Sequence, residues 1–537
     1  MAEPGLVLGP IVRAVDRDQA TVWVETDSPC EVAVGSHVAQ TVTFMEHHYA
    51  FVDVGGLGEA AEPYTVTLDG RQVWPINGQF PPSVLRALPR EHLKALFGSC
   101  RTILPDEDGD PDRIDALREF AWRAANAHPE ELPDALILLG DQVYADQGAP
   151  ATRRFIRRHR RRTKPPSGQT HHFSEFVTLY REAWREPAVR WLLSTVSTLM
   201  IFDDHEIIDN WNASESWLAE HQSEPWWREH VRNGLAAYWM YQHLGNLSGK
   251  ERESDPLFAA LRRGDESVAL SAFDKRATHG AEGTQAVRWS YARELGPAHL
   301  VMVDSRDGRV LSGGQRLMLD SDDAAWAERE VQKPAPYLLV GTSLPVLLPR
   351  GVHHIEHVVN AACEGRWGRV GSYIGEEIRQ AAQLNHWVTF PDSFVRLLDM
   401  LRRAGDEVTR RGVIVLSGDV HLSYGARINA WQDGVAPVVP TYQLVGSPFC
   451  HDLDRTDASA LRAAVSRPGA YVGRLLTKVA REPRPEVDWS INTGPWFNNV
   501  VGMLEFDADG ATCRFERTRV GGPLGSRLEL VDDRRLT

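Results

Sequence analysis

From about residue 5 to about residue 90, apolar and polar positions alternate. The stretches "ATVWVET", "CEVAVGS", "YAFVDVGG" and "YTVTLDG" put apolar side chains at every second position and end in Gly or Asp turns. That period predicts short strands of a small β-sandwich, which we place at residues 1–90. "WPINGQFPPSVLRALP" follows, with Pro75, Pro81, Pro82 and Pro89 interrupting regular structure, and reads as a linker.

Beyond the linker the pattern changes. "LKALFGSC", "ALILLGD", "TLMIFDDHE", "APYLLVGTS" and "RGVIVLSGDV" are continuous apolar runs of strand length. Such runs belong to strands buried on both faces. Residues 112–128 and about 173–195 have helical spacing, and 286–306 reads as a hairpin. A stretch rich in Trp and helix formers, about 212–280, reads as a helical insertion. The remainder returns to β pattern, and no internal repeat is visible. Residues 91–537 therefore predict one layered α/β domain. In open α/β sheets, sites form beyond the carboxyl ends of the strands.

Composition narrows this only in part. With 537 residues, 42% hydrophobic and 25% charged, the chain has ordinary globular composition. It contains no apolar run long enough for a transmembrane helix. The start "MAEPGLVLGP" lacks a basic segment followed by an apolar one, so no secretory or twin-arginine signal is read. Five cysteines, widely spaced and without a CxxC pair, predict neither a disulfide framework nor a zinc ribbon. A cytoplasmic location is the expectation. A formal net charge of −14 repels polyanions at long range, so nucleic acid is disfavoured as a partner except as substrate.

Four of the strand ends carry unusual side chains. "GSC" supplies Cys100, with Arg101 next. "GDQVYAD" supplies Asp141, Tyr144 and Asp146. "DDHEIIDN" supplies Asp203, Asp204, His205, Glu206 and Asn210. "GDVH" supplies Asp419 and His421. Taken singly, each has an ordinary reading: a buried Cys, a strand-end Asp as a turn former, a core Tyr with its hydroxyl satisfied. Taken together, so many carboxylates beside His, Tyr and Cys are costly to bury without a cation. Thiolate plus phenolate favours ferric iron. An all-oxygen set of Asp and Asn suits calcium, magnesium or manganese.

At these motifs the sequence resembles the metallophosphoesterase superfamily, and within it the PhoD-like alkaline phosphatases and phosphodiesterases. "GSC", "GD-x-x-Y-x-D", "DDHE" and "GD-x-H" stand in that family's order over roughly 95–450. The resemblance implies a layered metallophosphoesterase-like β-sandwich flanked by helices, with the small N-terminal β-sandwich domain in front. It implies hydrolysis of small-molecule phosphate monoesters or diesters, with a water activated by two metals attacking phosphorus in line. Cys100, Asp141, Tyr144 and His421 would hold Fe3+. Asp141 would bridge to a second ion, Ca2+ or else Mn2+ or Mg2+, completed by Asp419 and by Asp204 or Asn210. His205 would orient the substrate or protonate the leaving group, and Arg101 would pair with phosphate oxygens.

Several features stand outside that pattern. "GVHHIEH" carries His353, His354 and His357, which read as a solvated helix face rather than as ligands. The family's usual Asp before Trp is replaced by "NHW" at 385–387. "RRFIRRHRRRTK" at 153–164 holds eight Lys or Arg in twelve residues. It reads as a solvated helix or as a basic lip that draws anionic substrates. The competing reading of the whole is a catalytically silent metal-binding scaffold of the same fold. Intact motifs argue against it. Oligomeric state is not encoded in any of these features.

Overall fold

The computed structural model describes residues 3–76, 78–104, 113–161, 164–280, 287–451, 455–480, 486–521 and 527–537. At the N-terminus, two four-stranded antiparallel sheets share one apolar core that includes Val22, Trp23, Val32, Tyr49, Val52 and Val66. The first strand, Leu6–Asp16, departs from simple alternation: eight consecutive positions, Leu8–Val15, are buried. Its outer face is not solvated, because it packs on the strand Ser197–Met200 and on the helix Pro187–Leu193. Arg13, on this strand, is fully buried and donates to Asn246 Oδ1 at 2.9 Å and to the Gln242 carbonyl at 2.5 Å. The linker segment is also tied down. Val84–Leu85 pairs with Glu62–Pro63, and Leu85 and Leu88 are buried.

Two sheets form the main body. In the six-stranded sheet the order is Ser197–Met200, Ala135–Leu138, Leu93–Gly98, Val500–Phe506, Ala511–Thr518 and Leu528–Arg535, with the first three parallel. In the seven-stranded sheet, the neighbours Ala298–Val303, Tyr337–Thr342, Gly412–Ser417 and Thr441–Val445 run parallel. All of these parallel strands apart from Leu93–Gly98 are buried along their whole length. The cause is a layered arrangement. The inner faces meet, with Tyr337 and Phe506 rings 4.6 Å apart. The helices Ser321–Val331 and Pro391–Gly405 supply Ala327, Leu397 and Leu401 to a second core on the outer face of the larger sheet. This is the mixed α/β, two-sheet architecture expected from the chain pattern.

The Trp-rich stretch forms helices from Glu215–Gln222 to Ser267–His279. Within it, a π-helical turn at Trp239–His243 widens the helix that begins at Trp227. Such turns are single-residue insertions that redirect side chains. Here Gln242 Nε2 reaches Glu206 Oε1 at 3.1 Å and the Tyr180 hydroxyl at 3.0 Å, linking the insertion to the strand-end loops.

Candidate metal centre

The parallel strands of both sheets end on the same side, and their loops meet. Leu139 N donates to the Gly98 carbonyl, Gly418 N to Ser343, and Gly446 N to Ser417. Close approach explains the Gly-Asp pairs. Gly140 has φ +100°, and a Cβ there would lie 2.5 Å from Asp203 Cβ. A Cβ on Gly418 would overlap Ser99 Oγ. The residues that follow are left-handed although they are not glycines: Cys100 (φ 55°), Asp141 (52°), Asp419 (65°) and His421 (49°), with Asn210 at 63°. Strained backbone of this kind persists where surrounding structure holds it, and it clusters at functional sites.

Asp141 stands at the centre. Its Oδ2 is 3.5 Å from both Cys100 Sγ and the Tyr144 hydroxyl. Its Oδ1 accepts from His205 N at 3.3 Å. Ligand atoms of Cys100, Asp141 and His421 lie within 4.8 Å of one another, and so do those of Asp141, Asp203, Asp204 and Asp419. One carboxylate thus belongs to both groups. Asp204 is held by its own neighbours: His205 N and Asn210 N donate to its two oxygens, at 3.1 and 2.7 Å. The Asn210 side chain is engaged elsewhere, since its Oδ1 accepts from Asn385 Nδ2 at 3.0 Å.

The charge balance suits a bound cation. Burial pushes the Asp141 carboxyl well above its ordinary range, and the neighbouring Asp203 pushes it further. Burial raises Asp203 as well, against the pull of Arg306. Asp203 Oδ2 is buried with no hydrogen-bond partner. Arg306, with the charged His205 and His386 rings, offsets only part of the charge of four crowded carboxylates in a low-dielectric setting. A further positive charge fits the orphaned oxygen and the shared Asp141. The donor set of thiol, phenol, imidazole and carboxylate suits metal ions. Burial pushes His421 down to about 4, which keeps its ring neutral, the form that binds metal.

His205 is fixed from two sides. Its Nδ1 contacts Asp146 Oδ1 and Oδ2 at 3.0 and 2.9 Å, and its ring lies 4.3 Å from that of Tyr144. Burial works against the imidazolium, but Asp146 and Asp141 outweigh it and hold His205 well above its usual range. Asp146, the last residue of "GDQVYAD", is therefore the partner of His205.

Glu206 has a structural task. Its carboxylate accepts from the peptide N–H groups of Asp141, Gln142 and Asp203, pinning two motif loops together.

Arg101 does not reach the cluster. Its Nε and Nη2 bind Asp115 at 2.8 and 2.7 Å, and its Nη1 donates to the Ala183 carbonyl at 2.6 Å. Asp115 caps the helix Ala116–Ala124, so the guanidinium is drawn to that helix start and is spent there. The guanidinium at the centre is Arg306, which sequence reasoning missed. It contacts Asp203 at 2.5 Å, Asp419 at 2.7 Å and Asp204 at 3.3 Å. The available signal was "VDSR", a charged cluster directly after a buried strand.

His386 was missed as well, although "NHW" was noted. Its Nδ1 meets Glu356 at 2.5 Å and its Nε2 lies 3.4 Å from Asp419 Oδ2. Burial opposes its charge, yet Glu356 and Asp419 push it up to about 9. The residue of "GVHHIEH" that serves the site is thus Glu356. His353 and His354 are buried rather than solvated, and His353 packs against Trp489 and Phe394. His451, also missed, stacks on His421 with centroids 3.9 Å apart.

The basic run forms the helix Pro150–His159. Arg153, Arg154, Arg157 and Arg158 are exposed. Arg160 is buried and paired with Glu175 at 3.1 Å. Arg162 and Thr163 lie outside the described residues. Arg153 and Tyr144 both line a cavity of about 200 Å3.

Two sheets whose parallel strands end in a shared carboxylate, imidazole and thiol cluster define a metallophosphoesterase-type hydrolase. The chain belongs to the PhoD-like phosphatase family, whose match spans residues 118–472, and is a metal-binding phosphoric ester hydrolase. Residues 3–85 match a domain of unknown function, DUF7800. A solved structure of PhoD aligns with 99% of this chain and 90% of its own at TM-score 0.58 and 12% identity. The purple acid phosphatase PPD1 from yellow lupin (Lupinus luteus) seeds aligns with 99% of this chain and 74% of its own at TM-score 0.49 and 10% identity. Among curated proteins no match is found. Among the described residues no helix is long and apolar enough to cross a membrane.

Proposed function

We propose that the protein hydrolyses small phosphate monoesters or diesters with ferric iron held by Cys100, Asp141, Tyr144 and His421, and a divalent ion, calcium by preference, held by Asp141, Asp204 and Asp419. The observation that carries this reading is Asp141, whose one oxygen faces Cys100 and Tyr144 while its carboxylate also belongs to the Asp203, Asp204 and Asp419 group. When bound, such a pair of ions neutralises phosphoryl oxygens and makes water acidic enough to attack at neutral pH.

The protein's own residues do the rest. Asp146 holds His205 by Nδ1, which leaves Nε2, 3.8 Å from Asp209 Oδ1, as the atom to give a proton to the leaving-group oxygen. The Arg306 guanidinium bridges Asp203, Asp204 and Asp419 and offsets part of their charge. Glu356 orients His386 toward Asp419, as a carboxylate behind a histidine orients it in metal sites generally.

Metal quantification of purified protein, with turnover of a chromogenic monoester and diester, tests the proposal. Asp141→Asn is expected to lose both metals and activity. Tyr144→Phe is expected to lose a visible tyrosinate-to-iron absorption. An active, iron-free, colourless enzyme would refute the iron assignment.

A further inference from the structure

The helix Gly368–Ala381 is amphipathic in the inverted sense. Its polar side faces inward: Arg379 is buried and donates to Asn360 Oδ1 at 2.7 Å, and Glu376 accepts from Ser214 and Ser216. Its apolar side faces water, with Val370 73%, Tyr373 68% and Ile374 52% exposed. The helix Arg467–Ala480 repeats the pattern with Tyr471 71%, Val472 51% and Leu475 51% exposed. Both pack on the same helix, Arg350–Cys363. Of the eighteen large hydrophobic side chains exposed among the described residues, nine lie in these two helices and the Trp367 that precedes the first. Exposed apolar side chains scattered singly need no explanation, whereas concentration on two helices packed on a common third marks an interaction surface.

The rim of this surface is basic on one side. Residues 461–480 contain no Asp or Glu, and Arg462, Arg474 and Lys478 are exposed, in a chain of net charge −14. On the other helix and the turn before it, exposed Arg366 and Arg369 are balanced by exposed Glu364 and Glu377, so the excess positive charge lies on the Arg467–Ala480 side. Aromatic and aliphatic side chains with Lys and Arg beside them are the chemistry of helices that lie in a lipid headgroup layer. A second copy of this chain fits less well, because a two-fold contact would set the same basic rim against itself.

The surface is also joined to the metal centre. The helix Gly368–Ala381 is followed by Gln383, which donates to Asp209, and by Asn385 and His386 of the centre. We infer that the exposed faces of Gly368–Ala381 and Arg467–Ala480 dock the enzyme on anionic lipid surfaces, bringing the metal centre to the membrane boundary.

The test uses the full-length holoenzyme and co-sedimentation with vesicles. One set is phosphatidylglycerol and phosphatidylcholine in equal parts, and the other is phosphatidylcholine alone. Binding to the anionic vesicles is expected, weaker on the neutral ones and weakened by salt. Tyr373→Ser with Ile374→Ser, and separately Tyr471→Ser with Leu475→Ser, are expected to lower it about tenfold each. These side chains are exposed, so turnover of a soluble chromogenic ester should stay unchanged and reports that the variants fold. Absence of binding to anionic vesicles at low salt overturns the proposal, as does binding that both double variants retain. A concentration-dependent dimer abolished by the same substitutions also overturns it, in favour of self-association.

Discussion

His205 Nδ1 lies 2.9 Å from Asp146 Oδ2, and the Asp209 peptide N–H donates to the same oxygen at 3.1 Å. Asp146 is therefore held from one side while it orients the imidazole on the other. Asp146→Asn leaves the shape intact and removes the charge. We expect kcat to fall about 10–100-fold while metal content is unchanged. The loss should be larger for an alkyl ester than for a nitrophenyl ester, because a good leaving group needs no proton. Equal losses on the two substrates would remove the proton-donor role of His205.

Arg306 neutralises carboxylates that otherwise face one another. Replacing it by Met leaves Asp203 without its partner at full burial. Removing one member of a buried ion pair costs about 3–5 kcal/mol. The expected outcome is a lowered melting temperature in metal-depleted protein and a partial recovery on adding excess Mn2+, which takes over the neutralisation. Paired melts with and without Mn2+ read this directly, and a variant whose deficit ignores the ion contradicts the account.

Of the exposed arginines of Pro150–His159, Arg153 lines the Tyr144 cavity, and Arg154, Arg157 and Arg158 lie on the same helix. Replacing Arg153, Arg154, Arg157 and Arg158 by Gln is expected to raise KM for an anionic diester severalfold at low salt, with kcat little changed. The difference should vanish at high ionic strength, where exposed charges are screened over about 3 Å at 1 M. Unchanged KM at low salt would assign the helix a solvated role only.

His230 ties stability to pH. Burial pushes it down to about 4, aided by His171, while the carbonyls of Thr170 and Ile207 pull the other way. In the unfolded chain a histidine titrates near 6.5, so below that pH the unfolded state takes up a proton that the folded state refuses. Its contribution is complete above about pH 6.5 and is lost as pH falls toward 4, by about 1.4 kcal/mol per unit. Melting temperatures between pH 7.5 and 5 should fall less in His230→Gln than in the parent protein. A parallel pair of curves would exclude His230 as a source.

Much of the fold could be read along the chain. Continuous apolar runs such as Ala135–Leu138 and Gly412–Ser417 announced strands buried on both faces, and Gly-Asp after such a strand announced a loop with chemistry. Motif spacing also brought Cys100, Asp141, Asp419 and His421 to one place, because strand order and parallel direction set which loop ends can meet.

Direction of a side chain was not legible. Arg101 is adjacent to a ligand in sequence, yet it turns to Asp115, because a buried guanidinium goes to the nearest uncompensated carboxylate. Arg306 is more than a hundred residues from Cys100 and takes the position at the centre. His386 and Glu356 form one unit only because two helical segments pack together. Local sequence determined which strands form and what their ends can do. Tertiary packing decided which charges face each other, since electrostatic partnership depends on distance through space, and no periodicity along the chain records it.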